Sequence, residues 1–172
     1  MIKRPILFST SMVIELLEGR KSQTRRLTHN KRGNPSVWLC LADAWDAGER
    51  DHELWVREGF RKSNDGEIVF RANPSSNDTR GREIGAGSAS FWRPSIHLPR
   101  AASRLTLVVT DIARERLQNI GDGDAVREGS GAAGVQGFAE VWSSIHGVSA
   151  WRSNPTVIAL TFEVKRRNID QH

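Results

Sequence analysis

The nine residues Thr156-Val-Ile-Ala-Leu-Thr-Phe-Glu-Val164 most constrain what this chain can fold into. They are rich in β-branched and apolar side chains, and Asn154-Pro155 punctuates the chain before them, so they predict the strongest strand of the sequence. A second long strand is expected within Arg104 to Leu117, which carries Leu105, Leu107, Val109 and Ile112, with a bend near Thr110-Asp111. Leu54-Trp-Val-Arg-Glu-Gly-Phe60 alternates apolar and polar residues and predicts a third. Ser63-Asn-Asp-Gly66 then supplies hairpin turn chemistry, and Glu67 to Arg71 reads as the returning strand. Ser36-Val-Trp-Leu-Cys-Leu41 predicts a short strand. Phe91 to Pro99, bracketed by prolines, should be extended.

Helical signals are shorter. Ser9, Thr10 or Ser11 can cap a helix over residues 11–18, and Gly19 suits the left-handed turn that ends it. Asp122 or Asp124 starts a short helix through Ala125-Val-Arg-Glu128, closed by Gly129, Gly131 and Gly134. Phe138, Val141, Trp142 and Ile145 follow helical spacing, which predicts an amphipathic helix over 136–146 with Trp142 in the core. Residues 73–90, rich in Asn, Ser, Gly and Asp, read as a long surface loop. No repeat or boundary divides the 172 residues, so one domain is expected, with a hairpin and loop inserted at about 54–90. The pattern predicts an α+β chain built on a small, mostly antiparallel barrel with flanking short helices.

The chemistry is concentrated in Gly19-Arg-Lys-Ser-Gln-Thr-Arg-Arg26. Lys21 and Thr24 are three apart, and in one turn of helix they would share a face. A lysine beside a hydroxyl can activate a nucleophile, and Arg20, Arg25 and Arg26 can hold an anion. The same cations can equally complement a helix C-terminus and lie in solvent. Residues 1–32 hold eight Lys/Arg against two Glu, while the rest of the chain holds 17 against 18, so the net charge of +5 lies around this motif. A local basic patch suits a polyanion.

Cys40 is alone, which excludes an internal disulfide and fits a reducing, cytoplasmic setting. Glu15 and Glu18 interrupt the N-terminal apolar stretch, so neither a membrane span nor a targeting signal is read there. His29, His52, His97, His146 and His172 are scattered without ligand spacing, and Gly129 to Gly137 lacks the Lys-Ser/Thr of a phosphate loop. Neither a metal nor a cofactor is expected.

Five segments in order, Gly19 to Arg26, Leu54-Trp-Val-Arg-Glu58, Trp92-Arg-Pro-Ser-Ile-His97, Asp124-Ala-Val-Arg-Glu-Gly129 and Asn154-Pro-Thr-Val-Ile158, resemble the activating-signal-cointegrator homology (ASCH) family of the PUA-like superfamily. The resemblance covers about Lys3 to Val164, and the Trp92–His97 segment is similar to the form found in phages and prophages, which places the protein in a host bacterial cytoplasm. It implies a β-barrel with a positively charged cleft for RNA or a modified nucleoside. Some small bacterial members are N4-acetylcytidine amidohydrolases that use the lysine and threonine of a G-x-K-x-x-T motif and a glutamate in a later short helix. Lys21, Thr24 and Glu128 match these residue for residue. This chain is much longer, with the insert before residue 90. Other relatives bind RNA or cleave it, so those readings stand beside amide hydrolysis.

On the hydrolytic reading Thr24 is the nucleophile, Lys21 its base and Glu128 the acid for the leaving nitrogen. Backbone N–H groups after Gly19 are expected to form an oxyanion hole. Arg57 and Glu58 point to opposite faces of a strand, and the family pattern favours Glu58 in the cleft, with a structural salt bridge as the alternative. Arg93, Ser95 and His97 alternate along an extended segment and could share one side. Trp55 and Trp92 are candidates for base stacking. Trp38, Trp45 and Trp151 are indistinguishable from packing residues.

Overall fold

The computed structural model describes residues 2–72 and 92–171. The loop expected over 73–90 lies outside the described residues. The elements are β1 (Lys3–Leu7), α1 (Thr10–Leu17), β2 (Gln23–Leu27), α2 (Val37–Asp46), β3 (Glu53–Arg57), β4 (Phe60–Lys62), β5 (Ile68–Phe70), β6 (Thr106–Arg116), α3 (Asp122–Ala125), α4 (Gly134–His146) and β7 (Thr156–Lys165). Five strands form one sheet in the order β1-β3-β6-β7-β2, antiparallel except where β1 lies beside β3. β4 and β5 pair as a separate hairpin. The chain is therefore α+β with a mostly antiparallel sheet. Among the described residues no backbone ladder joins the edge strands β1 and β2, so the sheet is open rather than a closed barrel. The two edges do meet at one end, where Arg26 Nη2 donates to the Leu7 carbonyl at 2.9 Å.

β7 is apolar at consecutive positions because both of its faces are covered. Ile158, Leu160 and Phe162 join Ile6, Val13, Leu16, Leu41, Leu54 and Leu107 in a core that includes residues of α1 and α2. Val157 packs instead with Leu117, Ala125, Phe138 and Trp142 of the α3–α4 side. A strand buried on both faces loses the simple alternation of a half-exposed one. The bend expected in β6 is a register slip against β7 between Val109 and Asp111, with Thr110 as the extra residue.

Three expectations are corrected. Residues 36–41 are helical, not extended, and open α2. Ser36 Oγ accepts from the Leu39 N–H at 3.3 Å as the N-cap. Trp38, Leu41, Ala42 and Trp45 all belong to or pack on the core at i, i+3, i+4 and i+7, a helical stripe that is cut short when the window stops at Leu41. The insert begins later than residue 54, since β3 is an inner strand of the main sheet and the hairpin starts at Phe60. Ser95–His97 form a 3-10 turn, closed by His97 N–H to the Pro94 carbonyl at 3.0 Å. Proline restricts the residue before it, which keeps Arg93 and Leu98 out of the helical region, but Pro94 itself can start a turn.

The core also holds a histidine. His52 is fully buried, neither ring nitrogen makes a hydrogen bond among the described residues, and its ring lies 6.0 Å from that of Trp45. Desolvation pushes its pKa below the ordinary 6.5. The unfolded chain therefore takes up a proton in a range where the folded protein does not. Stability is full above pH 6.5 and falls as pH drops below it. Thermal melts between pH 7.5 and 5 are expected to show a smaller acid-side loss of Tm for His52→Phe than for the parent. An equal loss in both would count against this role.

Candidate active site

The end of α1 sets the site. Gly19 adopts φ +74°, and the turn carries the paired bonds of a Schellman cap, Arg20 N–H to Glu15 O at 2.9 Å and Gly19 N–H to Leu16 O at 3.2 Å. Lys21 N–H also reaches Glu15 O, at 3.1 Å, and Ser22 N–H reaches Arg127 O at 2.9 Å. The three amides after Gly19 are thus occupied, and the expected oxyanion hole is not formed there. The reversed chain enters β2 rather than a helix, so Lys21 and Thr24 do not share a helical face. β2 pairs Gln23 with Thr161, Thr24 with Leu160 and Arg25 with Ala159. Gln23 and Arg25 therefore face one side of the sheet and Thr24 and Arg26 the other.

Glu128 arrives from a widened helical turn, Val126–Ser130, that follows α3. Such a turn leaves carbonyls without the usual helical donor. Gly129 closes it at φ +93°, a conformation that favours glycine, and a Cβ there would press on Glu15 Cγ at 3.2 Å. The turn lies against Lys21, whose ammonium donates to the Glu128 carbonyl at 2.7 Å, to Glu128 Oε2 at 3.0 Å and to the Gln23 carbonyl at 2.9 Å. All three amine protons are used. Lys21 is 0% exposed. Desolvation pulls its pKa down, the Glu128 carboxylate opposes that shift, and Arg26 and Arg25 add to it.

The neighbouring residues have distinct surroundings. Arg25 is enclosed, donating to Glu115 Oε1 at 2.7 Å, Asp124 Oδ2 at 2.8 Å, Gln23 Oε1 at 2.8 Å and Glu128 Oε1 at 3.2 Å. Its sequence-based role on substrate is replaced by one on Glu128. Arg20 is exposed but bound to Glu15 and Glu18. Arg26 is half-buried, 5.0 Å from the Phe8 ring and 5.6 Å from that of Trp38, and desolvation lowers its pKa to about 10. Lys21 Nζ lies 5.5 Å from the same Phe8 ring. Thr24 is buried, and its hydroxyl makes no hydrogen bond among the described residues.

A cleft of about 450 Å³ opens beside this cluster. Ser9 and Met12 of the α1 end, Glu128 and Gly129, and Phe138, Val141 and Ile145 of α4 line it. Its charged lining is Glu15 and Glu128, and no lysine or arginine takes part. The positive cleft implied by the resemblance is not what these residues make. Lys21 and Thr24 lie behind its wall. The stripe Phe138, Val141 and Ile145 was legible as one helix face, but nothing in the sequence set it opposite α1.

The remaining candidates gather elsewhere. Trp55 is buried with the Arg57 guanidinium 4.5 Å from its ring. Glu58 forms a bidentate pair with Arg104 at 2.9 and 2.8 Å, the salt-bridge alternative. Trp92 is half-buried and Arg93 exposed, and Arg93 bridges to Phe60 of the hairpin. The 3-10 turn removes the common side expected for Arg93, Ser95 and His97. No hydrogen bond or ion pair among the described residues joins this second group to Lys21 or Glu128. Among the described residues no three His, Cys, Asp or Glu side chains converge as metal ligands, and no helix is long and apolar enough to cross a membrane.

No protein-family model matches this chain, and no curated protein or solved structure matches it either.

Proposed function

We propose that this protein is an amidohydrolase of the ASCH type that removes the acyl group from an N4-acylated cytosine nucleoside such as N4-acetylcytidine. One observation carries the reading: Lys21 of the G-x-K-x-x-T motif and Glu128 of the later short helix, 107 positions apart, meet at 3.0 Å in a buried pair. The open sheet, tied by Arg26 across its edges, corresponds on this reading to the small barrel of the PUA-like superfamily.

Lys21 and Glu128 can exchange a proton along their 3.0 Å hydrogen bond. Moving one proton from Nζ to Oε2 turns an ion pair into a free amine and a carboxylic acid, which are the base and acid that amide hydrolysis needs. Burial favours that neutral form, while Arg25 on Oε1 favours the ion pair. Thr24 Oγ1 then attacks the acyl carbon and its proton passes to Lys21 Nζ. The C–N bond breaks as Glu128 protonates N4 of the leaving cytosine. Water hydrolyses the acyl-threonine to the acid and restores the hydroxyl. Because Thr24 lies behind the cleft wall, turnover also requires the Glu128 side chain to swing from Lys21 toward the cleft.

The carboxylate lining favours an uncharged nucleoside over a phosphate-bearing ligand. It also weakens the RNA-binding and ribonuclease readings at this site, since Lys21 and Arg25 are enclosed and Arg20 is paired. Incubation of the purified protein with N4-acetylcytidine is expected to release cytidine, seen by chromatography, faster than it deacetylates an oligonucleotide carrying the same base. Release of cytidine from neither would end this reading.

A further inference from the structure

We propose that the base of the β4–β5 hairpin is a binding site for a single-stranded polynucleotide, with Arg61, Arg71 and Arg93 on phosphates and Trp92 against a base. The inference is independent of the amidohydrolase reading, and the two sites share no residue.

The hairpin brings these side chains together. Phe60 and Arg93 exchange backbone hydrogen bonds at 3.3 and 2.6 Å, and Arg71 N–H donates to the Gly59 carbonyl at 2.9 Å. A Cβ at Gly59 would lie 3.6 Å from the Arg71 side chain and 3.9 Å from the Arg93 carbonyl, so the three strands of chain run close. Arg61 and Arg71 both reach the Trp92 ring, with guanidinium carbons 5.2 and 5.9 Å from its centroid. Two cations held at one indole repel each other, and something must offset that repulsion.

No carboxylate does so among the described residues. Arg57, Arg61, Arg71 and Arg93 make no ion pair there. Glu58, at the hairpin base, accepts from both Nε and Nη2 of Arg104. Asp65 and Glu67 sit at the hairpin turn and form no ion pair either. Arg61 Nε is buried without an acceptor, as is Arg57 Nε. Stacking fixes these guanidiniums in place, so an incoming anion finds planar donors already oriented. A bare phosphate would satisfy the arginines but has no use for the half-buried indole. A phosphate chain carrying bases matches both.

The test is a titration of the whole protein with a fluorescent twelve-residue oligouridylate at several salt concentrations. The parent is expected to bind with affinity falling as salt rises. The double variant Arg61→Ala/Arg71→Ala should bind at least tenfold more weakly. Its log–log salt slope should be shallower by about 1.4, the loss of two contacts at ~0.7 each. Trp92→Ala should weaken binding by roughly 5- to 150-fold, the range for one stacked base, and Trp92→Phe should recover part of it. Thr24→Ala should bind as the parent does. Arginine variants indistinguishable from the parent overturn the proposal. So does an abasic strand of equal length that binds as tightly as oligouridylate.

Discussion

Thr24→Val is expected to abolish turnover of N4-acetylcytidine while leaving the protein at least as stable as the parent. Valine keeps the shape of threonine and replaces the hydroxyl with a methyl group. Thr24 is 4% exposed and its hydroxyl makes no hydrogen bond among the described residues, so its removal breaks no contact of the fold. Loss of the nucleophile should lower kcat/KM by roughly 10³-fold or more. Thr24→Ser, which keeps a hydroxyl at the same place, should retain measurable turnover. For the parent, kcat/KM should fall at high pH with a midpoint below 10.5, because the Lys21–Glu128 pair must hold one proton to act and burial lowers the pKa at which Lys21 releases it. A Thr24→Val protein that turns over substrate at the parental rate would remove Thr24 from the mechanism.

Much of the scaffold was readable from local signals. Gly19 announced the end of α1, and the apolar run at 156–164 announced β7, because left-handed turns and doubly buried strands leave plain residue signatures. The bend in β6 was readable for a similar reason. The errors fell where a local pattern admits two periods. Trp38 to Leu41 is too short a window to separate a strand from a helix, and only the burial of Ala42 and Trp45 beyond it decides. The spacing of Lys21 and Thr24 likewise fitted a helical turn until β7 was seen to pair with Gln23–Leu27. At the site, the motif pointed to the right neighbourhood but not to the partners. The Arg25 contacts to Glu115 and Asp124 are 90 and 99 positions away in sequence, and no local rule pairs them. The sequence charge surplus around the motif consequently suggested an open basic patch, whereas folding pairs Arg20, Lys21 and Arg25 with acids.

The second large effect is on stability. Glu128→Leu should cost about 3–5 kcal/mol at pH 7, because it leaves the Lys21 ammonium enclosed with only carbonyl acceptors. Lys21→Met should cost less, since Glu128 keeps the guanidinium of Arg25 at 3.2 Å. The double variant Lys21→Met/Glu128→Leu should be more stable than Glu128→Leu alone, as both buried charges are then gone and Arg25 keeps Glu115 and Asp124. Urea unfolding of the four proteins gives the coupling energy directly. The pH dependence separates this from a packing defect. A lone buried ammonium has a lowered pKa, so above that value the folded variant sheds a proton that the unfolded chain keeps up to about 10.5. The Glu128→Leu deficit should therefore shrink as pH rises from 7 to 9, which a cavity would not do. Additive single costs with no pH dependence would mean that Lys21 and Glu128 are neighbours in the fold without being an energetic pair. The shared proton on which the catalytic reading depends would then have no support.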